Sequence, residues 1–270
     1  MRYIGWFIAL FLPHLLVAET PRNSLEIRLI SEVRSVQAGR LFFLGLQLKH
    51  PPGFHSYWKH PGIVGVATTV DWELPPGFGA GEIQWPAPQT VMMAGHKAQG
   101  YEDEILLMIP ITAPQKLTAT RVDLTARVSW MSCGKVCSPA VKIPFSISLP
   151  VSNKLEFDSQ TQPFFQKARA LVPRPDGSWQ ARVQRRQNQI ILTLAPPTPI
   201  QDLHEIHFFT ADGQVDSDQQ QAVDLQSDGR IRMTLYPAES AGEAASTLPG
   251  VVVIRRREGS PCFLEISPAY

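Results

Sequence analysis

Cys133 and Cys137 flank Gly134-Lys135-Val136, and two sulfurs at that spacing admit three kinds of chemistry. They can form a permanent structural disulfide, exchange reversibly with the disulfide of another protein, or supply two soft ligands to a metal. A structural bond closing so short a loop is a weak staple, because the chain-entropy benefit of a crosslink rises with loop length. Lys135 lies between the sulfurs, and a nearby ammonium favours the thiolate, the form that attacks a disulfide. On that reading the pair is redox-active and exposed at a tip. A metal site is disfavoured because no neighbouring Cys or His pair completes a tetrahedron. The third cysteine, Cys262 in Ser260-Pro261-Cys262-Phe263-Leu264, has the apolar strand setting of a buried, inert thiol.

Other reactive side chains give weaker patterns. His55, His60 and His96, with Met92 and Met93, are conceivable soft ligands for copper. No pair of them has a tight ligand spacing, so surface loop residues are the favoured reading. Tyr57, Trp58, Trp85 and Tyr101 read either as core or rim aromatics or as a shelter for the sulfurs. There is no nucleophile elbow, phosphate-binding glycine loop or zinc-protease helix. Ser132 and Ser138 beside the cysteines have no placed His-acid pair, which argues against a hydrolase.

The elements that must position the cysteines are legible as alternation. Val122, Leu124, Ala126, Val128 and Trp130 alternate with polar residues, and Val141, Ile143, Phe145, Ile147 and Leu149 repeat the pattern beyond the cysteines. A period of two marks half-buried strands, so the cysteines sit at a hairpin tip or in a short loop. Leu25, Ile27 and Leu29, and then Leu41 to Leu48, predict two earlier strands. Pro51-Pro52-Gly53, Pro61-Gly62, Pro75-Pro76-Gly77 and Pro86-Ala87-Pro88 are turn signals between shorter strands at 70–74 and 105–111. After Pro150 the spacing of Phe164, Phe165, Ala168 and Leu171 predicts a short helix capped by Ser159 and broken at Pro173-Arg174-Pro175. Further strand candidates follow at 179–183, 189–194, 205–209, 231–235, 251–256 and 262–266.

The amino terminus, with Arg2 before the apolar run Ile4 to Leu12 and Ala18 before Glu19, reads as a secretory signal peptide. Export implies an oxidising compartment. A formal net charge of +1 gives no footprint for nucleic acid or an anionic membrane. With 24 prolines, 18 glycines and many short alternating runs in 270 residues, the expectation is an all-β chain of two β-sandwich domains joined by a short helical connector. The expected division is a signal peptide over 1–18, a first domain over 19–150, a linker over 151–177 and a second β-sandwich over 178–270.

The ordered runs Gly53-Phe54-His55-Ser56-Tyr57-Trp58-Lys59-His60-Pro61-Gly62, Trp72-Glu73-Leu74-Pro75-Pro76-Gly77-Phe78, Ile83-Gln84-Trp85-Pro86, Gly100-Tyr101-Glu102-Asp103-Glu104 and Ser132-Cys133-Gly134-Lys135-Val136-Cys137-Ser138-Pro139 resemble the amino-terminal periplasmic domain of DsbD-type thiol:disulfide interchange proteins. The branch called suppressor of copper sensitivity protein B is the most similar. The resemblance covers about Leu25 to Leu149, and the second domain looks like the β-rich segment that follows in that branch. It implies an immunoglobulin-like first domain whose cysteine pair passes electrons to periplasmic thioredoxin-fold partners. The resemblance implies that Cys137, matching the second cysteine of the family's pair, forms the mixed disulfide with the partner and that Cys133 resolves it. Tyr57 falls where the family has an aromatic beside the sulfurs, and Trp85 to Gly95 falls near the family's cap loop. Better-known members space their cysteines further apart, and their cap carries an acidic pair absent from Trp85 to Gly95 here.

The expected activity is thiol-disulfide exchange through Cys133 and Cys137, with Tyr57, Trp58, Trp85, Tyr101 and Lys135 supporting or shielding them. No organic cofactor, metal, nucleic acid or small-molecule substrate is called for. Reducing equivalents are expected from a separate membrane electron-transfer protein. The rival expectation is a non-catalytic periplasmic binding or scaffold protein linked to copper tolerance, with a structural disulfide.

Overall fold

A computed structural model describes residues 25–239 and 245–270. The signal-peptide expectation for residues 1–18 lies outside them. The alternating runs form strands, and two stacked sheets enclose the first core. Glu26–Ser31, Leu41–Lys49, Glu104–Thr112 and Gly79–Ala80 make one antiparallel sheet in that order. Cys137–Pro150, Arg121–Cys133 and Thr69–Glu73 make the facing one. Phe42, Leu44, Leu46, Leu48, Leu107, Ile109 and Ile111 project from the first, and Val122, Leu124, Ala126 and Val128 from the second, into a single cluster. Successive side chains of a strand point to opposite faces, so alternate residues supply this core while their neighbours stay wet.

The outer face of the first sheet carries the helix Gln162–Leu171. Phe165 and Ala168 pack onto Leu106 and Met108. Gly45 makes the approach possible, since a Cβ there would lie 3.1 Å from the Phe165 ring. Arg169 pairs with Glu32 at 2.6 Å, and the Glu32 side chain is only 4% exposed. The helix does not begin at a Ser159 cap. Its N-cap is Thr161, which makes no side-chain cap, because its hydroxyl donates to the Ser31 carbonyl at 2.6 Å. Pro163 in the first turn fixes a helical φ without leaving an amide unpaired. The helix is thus fastened to the first sandwich, while Arg174 beyond it bridges to Leu264 of the second.

A second pair of sheets follows. Gln180–Arg186, Gln189–Ala195, Ile231–Leu235 and Ala222–Leu225 face Leu203–Thr210, Gly250–Arg256 and Cys262–Ile266, around Ile190, Leu192, Leu194, Phe208, Met233, Val252, Ile254 and Leu264. The chain is all-β, with a single helix among the described residues. In Gly250–Arg256 the residues Val251, Val252, Val253 and Ile254 are 3%, 0%, 4% and 0% exposed. Val252 and Ile254 belong to the second core, whereas Val251, Val253 and Phe209 pack into the first. A strand buried on both faces reads as a continuous apolar run rather than an alternation, and here it joins the two sandwiches.

Val253→Asp places an unpaired carboxylate between the sandwiches and is expected to cost on the order of 3 kcal/mol, read as a lowered urea midpoint. Val223→Asp, at an exposed position, should change stability by no more than about 0.5 kcal/mol. At the same junction His207 packs on Phe209 with ring centroids 4.4 Å apart, and its Nε2 lies 3.2 Å from Gln221 Nε2. Burial first, and then the charge of Lys97, lower its pKa to about 4. The unfolded chain, titrating near 6.5, binds more protons between these values, so stability is full above about pH 6.5 and falls as pH drops toward 4. His207→Gln should flatten part of that acid limb in pH-dependent unfolding.

Candidate redox site

The long hairpin sets the cysteines face to face. Its register pairs Val122 with Leu149, passes a bulge between Val128 and Trp130, and closes on Ser132 with Ser138 and Cys133 with Cys137. The two cysteines are bonded, with Cα atoms 4.1 Å apart. Cys133 is also gripped from its other side. Its amide donates to the His55 carbonyl at 2.9 Å, and the His55 amide donates to the Cys133 carbonyl at 2.8 Å. At the tip, the Gly134 amide donates to the Val136 carbonyl at 3.1 Å. A side chain at Gly134 would meet the Gly53 carbonyl and the Phe54 ring, each 3.0 Å from its Cβ, so the turn lies flat against the Gly53-Phe54 segment.

His55 leads into a smaller sheet that covers the sulfurs. In it Ser56–Gly62 pairs with His96–Tyr101, which pairs with Gln89–Met93. The last two strands form a hairpin turning at Ala94-Gly95, where φ is 50° and 90°. Positive φ at both central residues is the backbone of the tight turns that match strand twist. Tyr57, Val91, Ala98 and Cys133 form a buried cluster edged by Val64, Met93, Met131 and Cys137. Met93 Sδ lies 3.6 Å from Cys137 Sγ.

The sulfurs are unequal. Cys133 is wholly buried, and Cys137 is partly open beside the exposed Lys135 and Val136. An attacking thiolate must approach in line with the bond it breaks, and Cys137 is the more accessible of the two sulfur-bearing residues. The buried side of the pair carries little charge. Burial lowers the pKa of His55, with a further push from His50, and burial raises that of Tyr57. His55 Nε2 and the Tyr57 hydroxyl are 3.2 Å apart, a neutral pair under the disulfide loop.

Of the aromatics expected near the sulfurs, Tyr57 alone joins their cluster. Trp58 and Tyr101 are buried in the sandwich core, and Trp85 packs at its edge. The reason is geometric: Tyr57 and Trp58 are consecutive in one strand and face opposite ways, while Tyr101 turns its hydroxyl to the Pro86 carbonyl at 2.7 Å. Exposure at the tip therefore describes Lys135 and Val136 but only part of Cys137, and Cys133 not at all. The candidate copper ligands are dispersed. His55 is on Tyr57, His60 Nδ1 accepts the Gly62 amide at 3.2 Å, and His96 Nδ1 lies 2.9 Å from Asp218 Oδ2. Cys262 stays in the second sandwich, where burial pushes its thiol pKa up.

The sequence offers Met93 as a conceivable copper ligand and not as a neighbour of the sulfurs, because it reaches Cys137 across 44 residues. A signal was available in Ala94-Gly95, a turn pair between two short strand-capable segments. Asp218, which touches the same hairpin from the second sandwich, has no local signature at all.

Residues 31–148 match the family model described as thiol:disulfide interchange protein DsbD, N-terminal. The match spans the first sandwich with both cysteines and somewhat less than half of the chain. That stretch is thus similar to the DsbD amino-terminal domain, the likeness that the ordered motifs imply. No curated protein matches the sequence. Among solved structures, the N-terminal periplasmic domain of ScsB from Proteus mirabilis is similar with a TM-score of 0.65 at 18% identity, covering 93% of this chain and 96% of that one. That similarity concerns the fold, and it extends through the second sandwich. Among the described residues no helix is long and apolar enough to cross a membrane.

Proposed function

We propose that the protein is a periplasmic thiol-disulfide exchange module that passes electrons between a membrane electron conduit and thioredoxin-fold partner proteins. The observation that carries this reading is the inequality of the sulfurs: Cys133 buried and backbone-pinned, Cys137 half-open at the end of a hairpin. A structural crosslink needs no such asymmetry. An exchange site does, because one sulfur must meet the partner while the other waits within bonding distance.

In the reduced protein the Cys137 thiolate attacks one sulfur of the partner disulfide. The partner's bond breaks, its other sulfur leaves as a thiolate, and a mixed disulfide forms. Cys133, deprotonated, then attacks Cys137 Sγ. The mixed bond breaks, the partner departs with both sulfurs reduced, and Cys133–Cys137 is restored. Two electrons have moved, and the protein must be reduced again by its donor. Lys135 favours the Cys137 thiolate through its charge, and the Tyr57 cluster keeps water and bulky oxidants from Cys133. The family match supports this reading over a copper-binding scaffold.

Cys133→Ala leaves Cys137 without the thiol that releases a partner. It is expected to accumulate a covalent adduct with a thioredoxin-fold protein on a non-reducing gel, collapsed by dithiothreitol and absent from the double Cys133→Ala, Cys137→Ala variant. The native disulfide should have a reduction potential above about −300 mV, the range typical of permanent bonds lying below it. No adduct, together with a bond that mild thiols leave intact, would return the pair to a structural role.

A further inference from the structure

The hairpin that covers the sulfurs is held from outside by the second sandwich. The Lys97 amide donates to Asp218 Oδ1 at 2.8 Å, and His96 Nδ1 lies 2.9 Å from Asp218 Oδ2. Both residues of the hairpin's returning strand next to the turn are therefore clamped by one carboxylate. Asp218 is itself fixed. Its amide donates to Asp216 Oδ1 at 2.8 Å, and the Asp216 amide donates to the Tyr236 carbonyl at 2.9 Å. Beside it, Ser217 Oγ donates to the Lys97 carbonyl at 2.9 Å and accepts the Ile63 amide at 3.2 Å.

Across the hairpin, His96 pairs with Met93 and Lys97 with Met92. The clamp therefore acts on the cross-strand partner of the residue that lies 3.6 Å from Cys137 Sγ. The turn residues Ala94 and Gly95 are exposed, as is Met92 in the strand before them. An isolated two-stranded ribbon is marginal in water, so its resting position depends on what it is fastened to. On one side it is fastened to Ser56–Gly62 by strand pairing, and on the other to Asp218.

We infer that Asp218 of the second sandwich is a positioning residue for disulfide exchange: through His96 and Lys97 it holds Met93 over Cys137 and so sets how often that sulfur is open to attack. The inference rests on Cys133 and Cys137 being an exchangeable pair, and it gives the second sandwich a part in the reaction. Closing, Met93 fills the approach to Cys137. Opening lifts the hairpin end, and an incoming thiolate attacks Cys137 Sγ, the Cys133–Cys137 bond breaks, and Cys133 leaves as the thiolate. A second thiolate then attacks the external sulfur of the mixed disulfide and releases Cys137.

The test is the second-order rate of reduction of the intact protein by dithiothreitol at fixed pH and salt. Loss of a charge-assisted pair and its backbone acceptor should raise the open population, and with it the rate, by about three- to thirty-fold in Asp218→Ala. Asp218→Asn keeps an acceptor for the Lys97 amide and should fall between that variant and the native protein. His96→Ala removes one arm of the clamp and should give a smaller increase. Met93→Ala removes the cover itself. In a Met93→Ala background, Asp218→Ala should then add less than about twofold, the coupling expected of two residues acting through one contact.

An unchanged rate in both Asp218→Ala and His96→Ala, with Met93→Ala faster, would overturn the inference, since the hairpin would then hold itself. Multiplying effects in the double variant would overturn it too. If Asp218→Ala loosens the second sandwich as a whole, thermal melting shows it, and His96→Ala with Asp218→Asn decide the matter. The rate with a small thiol reads access alone. A protein that shows these rates but makes no adduct with any protein partner would keep the latch and lose the proposed function.

Discussion

Everything at the sulfurs depends on the reciprocal backbone bonds between His55 and Cys133. They attach the end of one long strand to the start of another sheet, so a cysteine that would otherwise lie at a fraying tip is pinned on both flanks. One strand edge serves Cys137 and the opposite edge serves His55. Cys133 consequently sits in the interior of a three-strand junction while Cys137 occupies its rim. The difference in burial is set by strand pairing rather than by any special chemistry of the residues.

A further layer lies over that junction. Tyr57 fills the space beneath the loop, and the Gln89–Met93 and His96–Tyr101 hairpin closes it from the side. The burial that stabilises this cluster also keeps ionisable neighbours neutral, as the lowered pKa of His55 and the raised pKa of Tyr57 indicate. Lys135 is exposed on the solvent side of the pair, whereas a charge on the buried side would be disfavoured by desolvation.

The parts of this arrangement legible in the sequence were those written in local periodicity. Alternation from Val122 to Trp130 and from Val141 to Leu149 fixes which residues enter the core, and their spacing about the cysteines gives the hairpin. The helix was visible from Phe164, Phe165, Ala168 and Leu171, but its start was not, because Thr161 spends its hydroxyl on Ser31 in another strand. Trp58, Trp85 and Tyr101 were drawn toward the sulfurs by their place in the motifs. Their side chains serve the sandwich core instead, and a motif does not record which way a strand residue faces. The contacts of Met93 and Asp218 join segments 44 and 121 residues apart, which no window of sequence can connect.

The strand Gly250–Arg256 is clad on both sides, with Val251 and Val253 supplied to one core and Val252 and Ile254 to the other. Its neighbour Phe209 adds an aromatic ring to the same seam. An amino-terminal fragment cut after Pro150 would therefore carry an apolar scar where those side chains had been, and would also lose the helix that roofs Leu106 and Met108. Such bare patches invite self-association. The cysteine-bearing half is a tenant of a larger building, sharing a wall that cannot be taken down from one side only.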